Sequence, residues 1–274
     1  MPYRPANGSC QRLSRMVGAF AFGRCGWPGG AFRVQSLPSR MSTSSPRKLI
    51  IAIDGPAGAG KSTIASHLAR RLGYVNLESG AMYRALALKA IEWDISFDDE
   101  TALVRLAHNS RIQIEPCLGG NRVLLDGRDV SQRVREADVT EAASRVSVHP
   151  NVRAWMVARQ QEMGANGGVV MEGRDIGTKV FPAADIKVFL DADPVVREQR
   201  RMKQQQIKPG VAAEALAAEL RERDRRDRTR ATSPLVPASD ALVLDSTELS
   251  EDEVLNRVEE LVLRKLNHPS QVLE

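Results

Sequence analysis

The residues Gly55-Pro56-Ala57-Gly58-Ala59-Gly60-Lys61-Ser62 fit the pattern G-x-x-x-x-G-K-[ST]. In that pattern a glycine-rich turn brings successive backbone N–H groups onto phosphate oxygens, and the lysine adds a mobile positive charge. A helix opening at Lys61 adds its N-terminal dipole to the same anion. Either Ser62 or Thr63 offers a hydroxyl to a divalent cation. The chain contains neither an Asn-Lys-x-Asp guanine-reading segment nor a Ser-Gly-Gly transporter signature, which leaves a small kinase as the reading of this loop.

Two further clusters carry charge. Glu78-Ser79-Gly80-Ala81-Met82-Tyr83-Arg84 places an acid, hydroxyls and an arginine within one turn of a helix start. It suits a second, anionic substrate; the plainer reading is a helix cap with Tyr83 as packing. Val169-Val170-Met171-Glu172-Gly173-Arg174-Asp175 is an apolar strand that ends in alternating charges, at the sheet edge where open α/β folds bind ligands. Glu172 could hold a metal's water shell there, and the plainer reading is a salt-bridged loop. Asp191 and Asp193 read instead as a strand end and a helix start before Pro194.

Residues 220–230 carry Arg221, Arg223, Arg225, Arg226, Arg228 and Arg230 against Glu222, Asp224 and Asp227. Such a run can be an ion-paired, solvated helix face or a nucleic-acid contact, and the interleaved acids argue against the second. A third reading is a lid whose arginines close over the charge that phosphoryl transfer spreads across oxygens. The lid is preferred, because Ser233-Pro234-Leu235-Val236-Pro237 after it reads as a hinge.

These clusters need elements to position them. Residues 48–54 form a continuous apolar strand of the kind buried on both faces of a parallel sheet. Ile64, Leu68 and Leu72 at helical spacing predict a helix over 61–72, stopped by Gly73. Apolar runs recur at 168–171, 186–190 and 241–244, so the fold class is α/β, a parallel sheet flanked by helices on both faces. The middle breaks this rhythm: residues 111–115 and 121–126 read as a hairpin around Leu118-Gly119-Gly120, and 136–145 and 151–163 as helices. Residues 95–150, roughly, are read as an insertion, and 207–233, roughly, as the lid. A last helix starts at Ser250 with Glu253 completing a capping box, and Val254, Val258, Leu261 and Leu266 are expected to face the body.

The chain of 274 residues is 42% hydrophobic and 27% charged, which excludes wholesale disorder. Its net charge of +5 belongs to one end: residues 1–48 hold eight basic residues and no acid, so the rest is net acidic and gives no reason to expect a nucleic-acid partner. Cys10 and Cys25 also lie there, leaving Cys117 alone in the body, which fits a reducing compartment. No apolar run in that leader reaches the roughly 18–20 residues that span a bilayer. Residues 1–47 read either as an organelle transit segment or as an extension ahead of a start at Met41. The second reading is preferred and places the protein in the cytoplasm.

Taken together, Ile-Asp-Gly-Pro-Ala-Gly-Ala-Gly-Lys-Ser-Thr (53–63), Glu-Ser-Gly-Ala-Met-Tyr-Arg (78–84), Glu-Gly-Arg-Asp-Ile-Gly-Thr (172–178), Phe-Leu-Asp-Ala (189–192), Glu-Arg-Asp-Arg-Arg-Asp-Arg (222–228) and Ala-Leu-Val-Leu-Asp-Ser-Thr (241–247) resemble the bacterial-type cytidylate kinases, from about Leu49 to Leu266. The resemblance implies a P-loop fold with an inserted CMP-binding subdomain and a short arginine-rich lid, and transfer of the γ-phosphoryl of ATP to CMP or dCMP with Mg2+. It assigns Gly55, Pro56, Ala57, Gly58, Ala59, Gly60, Lys61, Ser62 and Thr63 to ATP, and Ser79, Tyr83 and Arg84 to the monophosphate. Ser144, Arg153 and Asp175 would read cytosine, with Arg135 and Arg174 as further phosphate ligands and Asp227 on the ribose. Lys61, Arg174, Arg223 and Arg230 would act on the migrating phosphoryl group, and Ser62 with Glu172, through water, would serve the metal. Glu172 stands where some members carry Asp, and Ser62 where some carry glycine. The chain is expected to work as a monomer, with no nucleic acid or membrane partner. The rival readings are another small P-loop kinase such as a uridylate kinase, a nucleotide-dependent RNA-binding protein using the arginine helix, and a catalytically silent regulator.

Overall fold

A computed structural model describes residues 48–117, 120–206 and 210–267. The segment 1–47 read as a leader, most of the turn expected at 118–120, and residues 207–209, where the lid is expected to begin, lie outside the described residues. Strand β1 (Ile50–Asp54) leads into helix α1 (Lys61–Leu72), which ends at Gly73 with φ 64, the left-handed conformation that glycine adopts without steric cost. Next come β2 (Val75–Glu78), α2 (Ser79–Glu92) and α3 (Glu100–His108). An antiparallel sheet of β3 (Ile112–Cys117), β4 (Gly120–Leu125) and β5 (Arg128–Asp129) follows, then α4 (Ala137–Val146) and α5 (Pro150–Gly164). The chain returns through β6 (Val169–Gly173), a π-helical turn (Ile176–Val180), β7 (Ile186–Asp191), α6 (Pro194–Gln205), α7 (Val211–Thr229), β8 (Leu242–Asp245) and α8 (Glu251–Asn267).

The main sheet is parallel throughout, in the order β2-β6-β1-β7-β8. With β1 at its centre, both faces of that strand must be apolar. Ile51 and Ile53 pack toward α1 and α8 with Leu68, Val254 and Val258, while Ala52 packs on the other face with Met171, Ile176 and Phe181. Each fully buried Ile or Leu contributes about 1.5–3 kcal/mol relative to exposure. A further cluster joins α2, α3, β4, α4 and α5 around Leu86, Leu103, Leu125 and Met156.

The capping box at Ser250 forms as expected: Glu253 N–H donates to Ser250 Oγ (3.3 Å) and Ser250 N–H to Glu253 Oε2 (2.8 Å). The inward face of α8 differs at its end. Leu255 and Val262 are buried beside Val254 and Val258 and Leu261 is partly buried, whereas Leu266, one residue from the end of α8, is 40% exposed. Asp193 caps α6 by accepting from Val195 N–H (2.8 Å), with Pro194 in the first turn.

Candidate active site

The phosphate loop joins the C-terminal end of β1 to α1. Gly55 has φ 146, and a Cβ there would lie 1.9 Å from the Leu190 carbonyl oxygen; Gly58 has φ 78, and its Cβ would lie 2.9 Å from that of Arg197. Only glycine fits at either position. Lys61 is 6% exposed and its Nζ donates to the Pro56 carbonyl (2.6 Å). Burial pushes its pKa down to about 7, helped by Arg174 and Arg223 and opposed by Glu172. Ser62, on the exposed side, donates its hydroxyl to Glu172 Oε2 (2.8 Å). Burial, then the charge of Glu78, pushes Glu172 up to about 7. Thr63 is half-buried.

Glu172 also connects this loop to α2, since Ser79 Oγ donates to its backbone carbonyl (2.7 Å). Arg84 is ion-paired with Glu78 and leaves its Nε without a partner, although that atom is buried. Arg135 is exposed, and its charge helps hold Glu78 below the usual carboxylate range, behind the larger effect of Arg84.

From Glu172 the chain runs two residues to Arg174 and one more to Asp175. Asp175 forms a buried ion pair with Arg153, whose Nη1 also donates to Ser147 O (3.1 Å) and whose Nε has no partner. The guanidinium lies 5.5 Å from the ring centroid of Tyr83, a hydroxyl pushed up to about 12 by burial. Ser144, buried nearby on α4, accepts from Arg226 Nη1 (3.1 Å).

The arginine helix α7 divides by face. Arg221, Arg225 and Arg228 are exposed and paired with Glu198, Glu222 and Asp191, the arrangement of a solvated surface. The other face points inward. Asp227 accepts from Arg174 Nε (2.9 Å) and from Arg230 Nη1 (3.3 Å), and these cations, with Arg223, hold its pKa down against burial. Burial and Arg174 push Arg223 down to about 10. Arg230 Nε donates to Ser233 O (2.6 Å), and its Nη2 is buried without a partner. The segment 233–237, read above as a hinge, is tied back here: Leu235 is buried and its N–H donates to Asp227 O (2.8 Å).

The structure thus gathers the phosphate loop, the Ser79–Arg84 turn, the Arg174-Asp175 strand end and the inner face of α7 at one edge of the sheet. Residues 51–264 match the profile of the family described as cytidylate kinase. The chain is 47% identical over 227 residues to the cytidylate kinase of Solibacter usitatus (strain Ellin6076), covering 82% of this chain and 94% of that one. It is also 47% identical to those of Pasteurella multocida (strain Pm70), over 76% of this chain and 92% of the relative, and Enterococcus faecalis (strain ATCC 700802 / V583), over 80% and 97%. The chain belongs to the cytidylate kinase family.

Within this member of the cytidylate kinase family, two supporting residues had no role assigned from the sequence: Arg197 lies outside every quoted motif, and Asp54, inside the first of them, was read only as a strand end. Arg197, 4% exposed on α6, donates from Nε to Ala192 O (2.9 Å) and from Nη1 to the phosphate-loop carbonyl of Ala57 (3.1 Å), and pairs with Asp224 on α7. Asp54, the last residue of β1, accepts from the N–H groups of Ile176 (2.8 Å) and Gly177 (2.7 Å). In the cytidylate kinase chain as a sequence, the first reads as one basic residue among several on a helix and the second as a strand end.

Proposed function

We propose that this chain transfers the γ-phosphoryl group of ATP to CMP and dCMP, giving CDP and dCDP, with ATP and CMP or dCMP as its small-molecule substrates. One observation carries the reading. The single strand end Glu172-Gly173-Arg174-Asp175 meets the phosphate loop through Ser62 at its first residue and the buried Arg153 at its last, so it joins a triphosphate site to a base-reading site. Lys61 and the backbone N–H groups of the loop hold the triphosphate. Ser79, Tyr83, Arg84, Arg135 and Arg174 receive the monophosphate, and the unpartnered Nε of Arg84 is a donor free for it. Ser144, Arg153 and Asp175 face the base. An acceptor carboxylate there matches the exocyclic amino group of cytosine and is left unpaired against uracil, a difference of about 1–3 kcal/mol.

The attacking oxygen is an anionic phosphate near neutral pH, so no strong general base is required. The rate comes from alignment and from cations placed around the developing charge: Lys61, Arg174, Arg223 and Arg230. Asp227 orients the ribose and holds Arg174 and Arg230 in place. Mg2+ suits the Ser62 hydroxyl and, through water, Glu172, both hard oxygen donors. A Mg2+ held this way would take most of its oxygens from phosphates and water. Bound with ATP, Mg2+ would supply charge neutralisation at the phosphates. No helix among the described residues is long and apolar enough to cross a membrane. We place the enzyme in the cytoplasm as a monomer.

The test is ADP formation from ATP and Mg2+ with CMP, dCMP, UMP and AMP in parallel. Turnover with CMP and dCMP well above UMP and AMP is expected. A folded, ATP-binding sample that phosphorylates none of them overturns the acceptor assignment.

A further inference from the structure

Asp54 is a carboxylate buried to 5% exposure one position before the phosphate loop, and no step above uses it. An ionised group in such a place costs free energy unless something meets it. What meets it is backbone from far along the chain: Ile176 N–H on Oδ1 and Gly177 N–H on Oδ2. These are the first two residues of the π-helical turn Ile176–Val180. The first N–H groups of any helical turn lack partners within it, and Asp54 supplies two of them from another strand. Turns of this kind are rare and cluster at functional sites.

The consequence follows from register. Asp54 lies opposite Gly173 in the parallel pair of β1 and β6, so the two strands end level. Arg174 and Asp175 are therefore held at both ends, by the sheet at Gly173 and by Asp54 just beyond them. The fit is tight, since a Cβ on Gly177 would lie 3.4 Å from Asp54 Oδ2 and 3.2 Å from the Lys187 side chain.

We infer that Asp54 is a positioning residue that straps the strand of the phosphate loop to the turn after Arg174 and Asp175, so that phosphoryl transfer and base discrimination share one rigid frame. This rests on the CMP-kinase reading for its functional consequence, but the strap itself does not. Asp54→Asn keeps the volume and presents an amide N–H where one backbone donor needs an acceptor; Asp54→Ser, smaller, is the second variant. Both are read by thermal melting and ATP affinity to establish the fold, then by two independent arms. In hydrogen exchange, the amides of Ile176 and Gly177 are expected to lose protection while the β1 amides keep theirs. In kinetics, the CMP-over-UMP ratio of kcat/KM is expected to fall about tenfold or more, the scale on which small misplacements act. The KM for ATP is expected to move less than about threefold, which separates misplacement of the acceptor from general damage. Unchanged protection at 176 and 177 overturns the strap. Lost protection with an unchanged ratio overturns its role in specificity. A wild-type sample that shows no preference for CMP instead overturns the acceptor reading, and the exchange arm still decides the strap.

Discussion

At the scale of single residues, the site is built from charges that would be costly alone. Asp175 and Arg153 are both almost fully enclosed, and removing one partner of such a pair leaves the other as an unmet buried charge. Asp175→Ala is therefore expected to act twice. Stability falls by about 3 kcal/mol, because Arg153 then has only the Ser147 carbonyl. On the proposed function, the preference for CMP over UMP falls by about tenfold to a hundredfold, because the carboxylate proposed to accept from the cytosine amino group is gone. Melting curves and a two-acceptor comparison of kcat/KM separate the effects; a variant that loses stability but keeps its preference removes Asp175 from base reading. Asp175 was legible in the sequence because it ends a charged strand; the family resemblance set it beside Arg153 at one base, but nothing in either segment announces the ion pair between them, 22 residues apart.

At the scale of elements, the local signals were strong. The helix expected over 61–72 spans Lys61–Leu72, and the apolar strand before it forms the centre of the sheet. Such elements are legible because burial on one face or on two leaves a period in the residues themselves. The division of α7 into a solvated and an inward face was not legible in the residue types, where six arginines look alike; only the family resemblance singled out Arg223, Asp227 and Arg230, which the packing turns inward. Arg197 is the clearest case. It joins α6, the phosphate loop and α7 through a planar fork that a lysine cannot reproduce. Asp224, half of that junction, already has a buried Oδ1 without a partner. Arg197→Ala is expected to cost about 3–5 kcal/mol of stability, as the loss of one side of a buried pair does. Arg197→Lys is expected to weaken ATP binding more than CMP binding, because the bond to Ala57 O is the one that shapes the loop. Calorimetric titration with each nucleotide distinguishes this from uniform weakening, which would make Arg197 a simple packing residue.

At the scale of the whole molecule, the buried charges near the phosphate loop set how stability depends on pH. Glu172, raised from 4.5 to about 7, and Asp54, raised from 3.8 to about 6, bind protons more readily folded than unfolded. Stability therefore falls as pH rises through those windows. Lys61 runs the other way: lowered from 10.5 to about 7, it holds its proton more readily unfolded, so stability rises as pH climbs from about 7 toward 10.5. Surface carboxylates such as Asp129 and Glu222, held near 2 by hydrogen bonds from Ser131 and from Arg225, contribute stability that is lost only in acid and leave this range untouched. The ligand-free protein is thus expected to show a shallow minimum in melting temperature near neutral pH. Lys61→Met removes the limb that rises above pH 7. At pH 7 it is expected to melt above wild type, by about 2–4 °C for each kcal/mol of buried-charge cost that the substitution relieves, while turnover is lost. Melting curves from pH 5 to 9.5 on both proteins decide it. An alkaline limb that persists in Lys61→Met would assign the rise to other groups. The expected result would make the phosphate loop a place where the empty fold gives up stability to keep a cation ready for an anion.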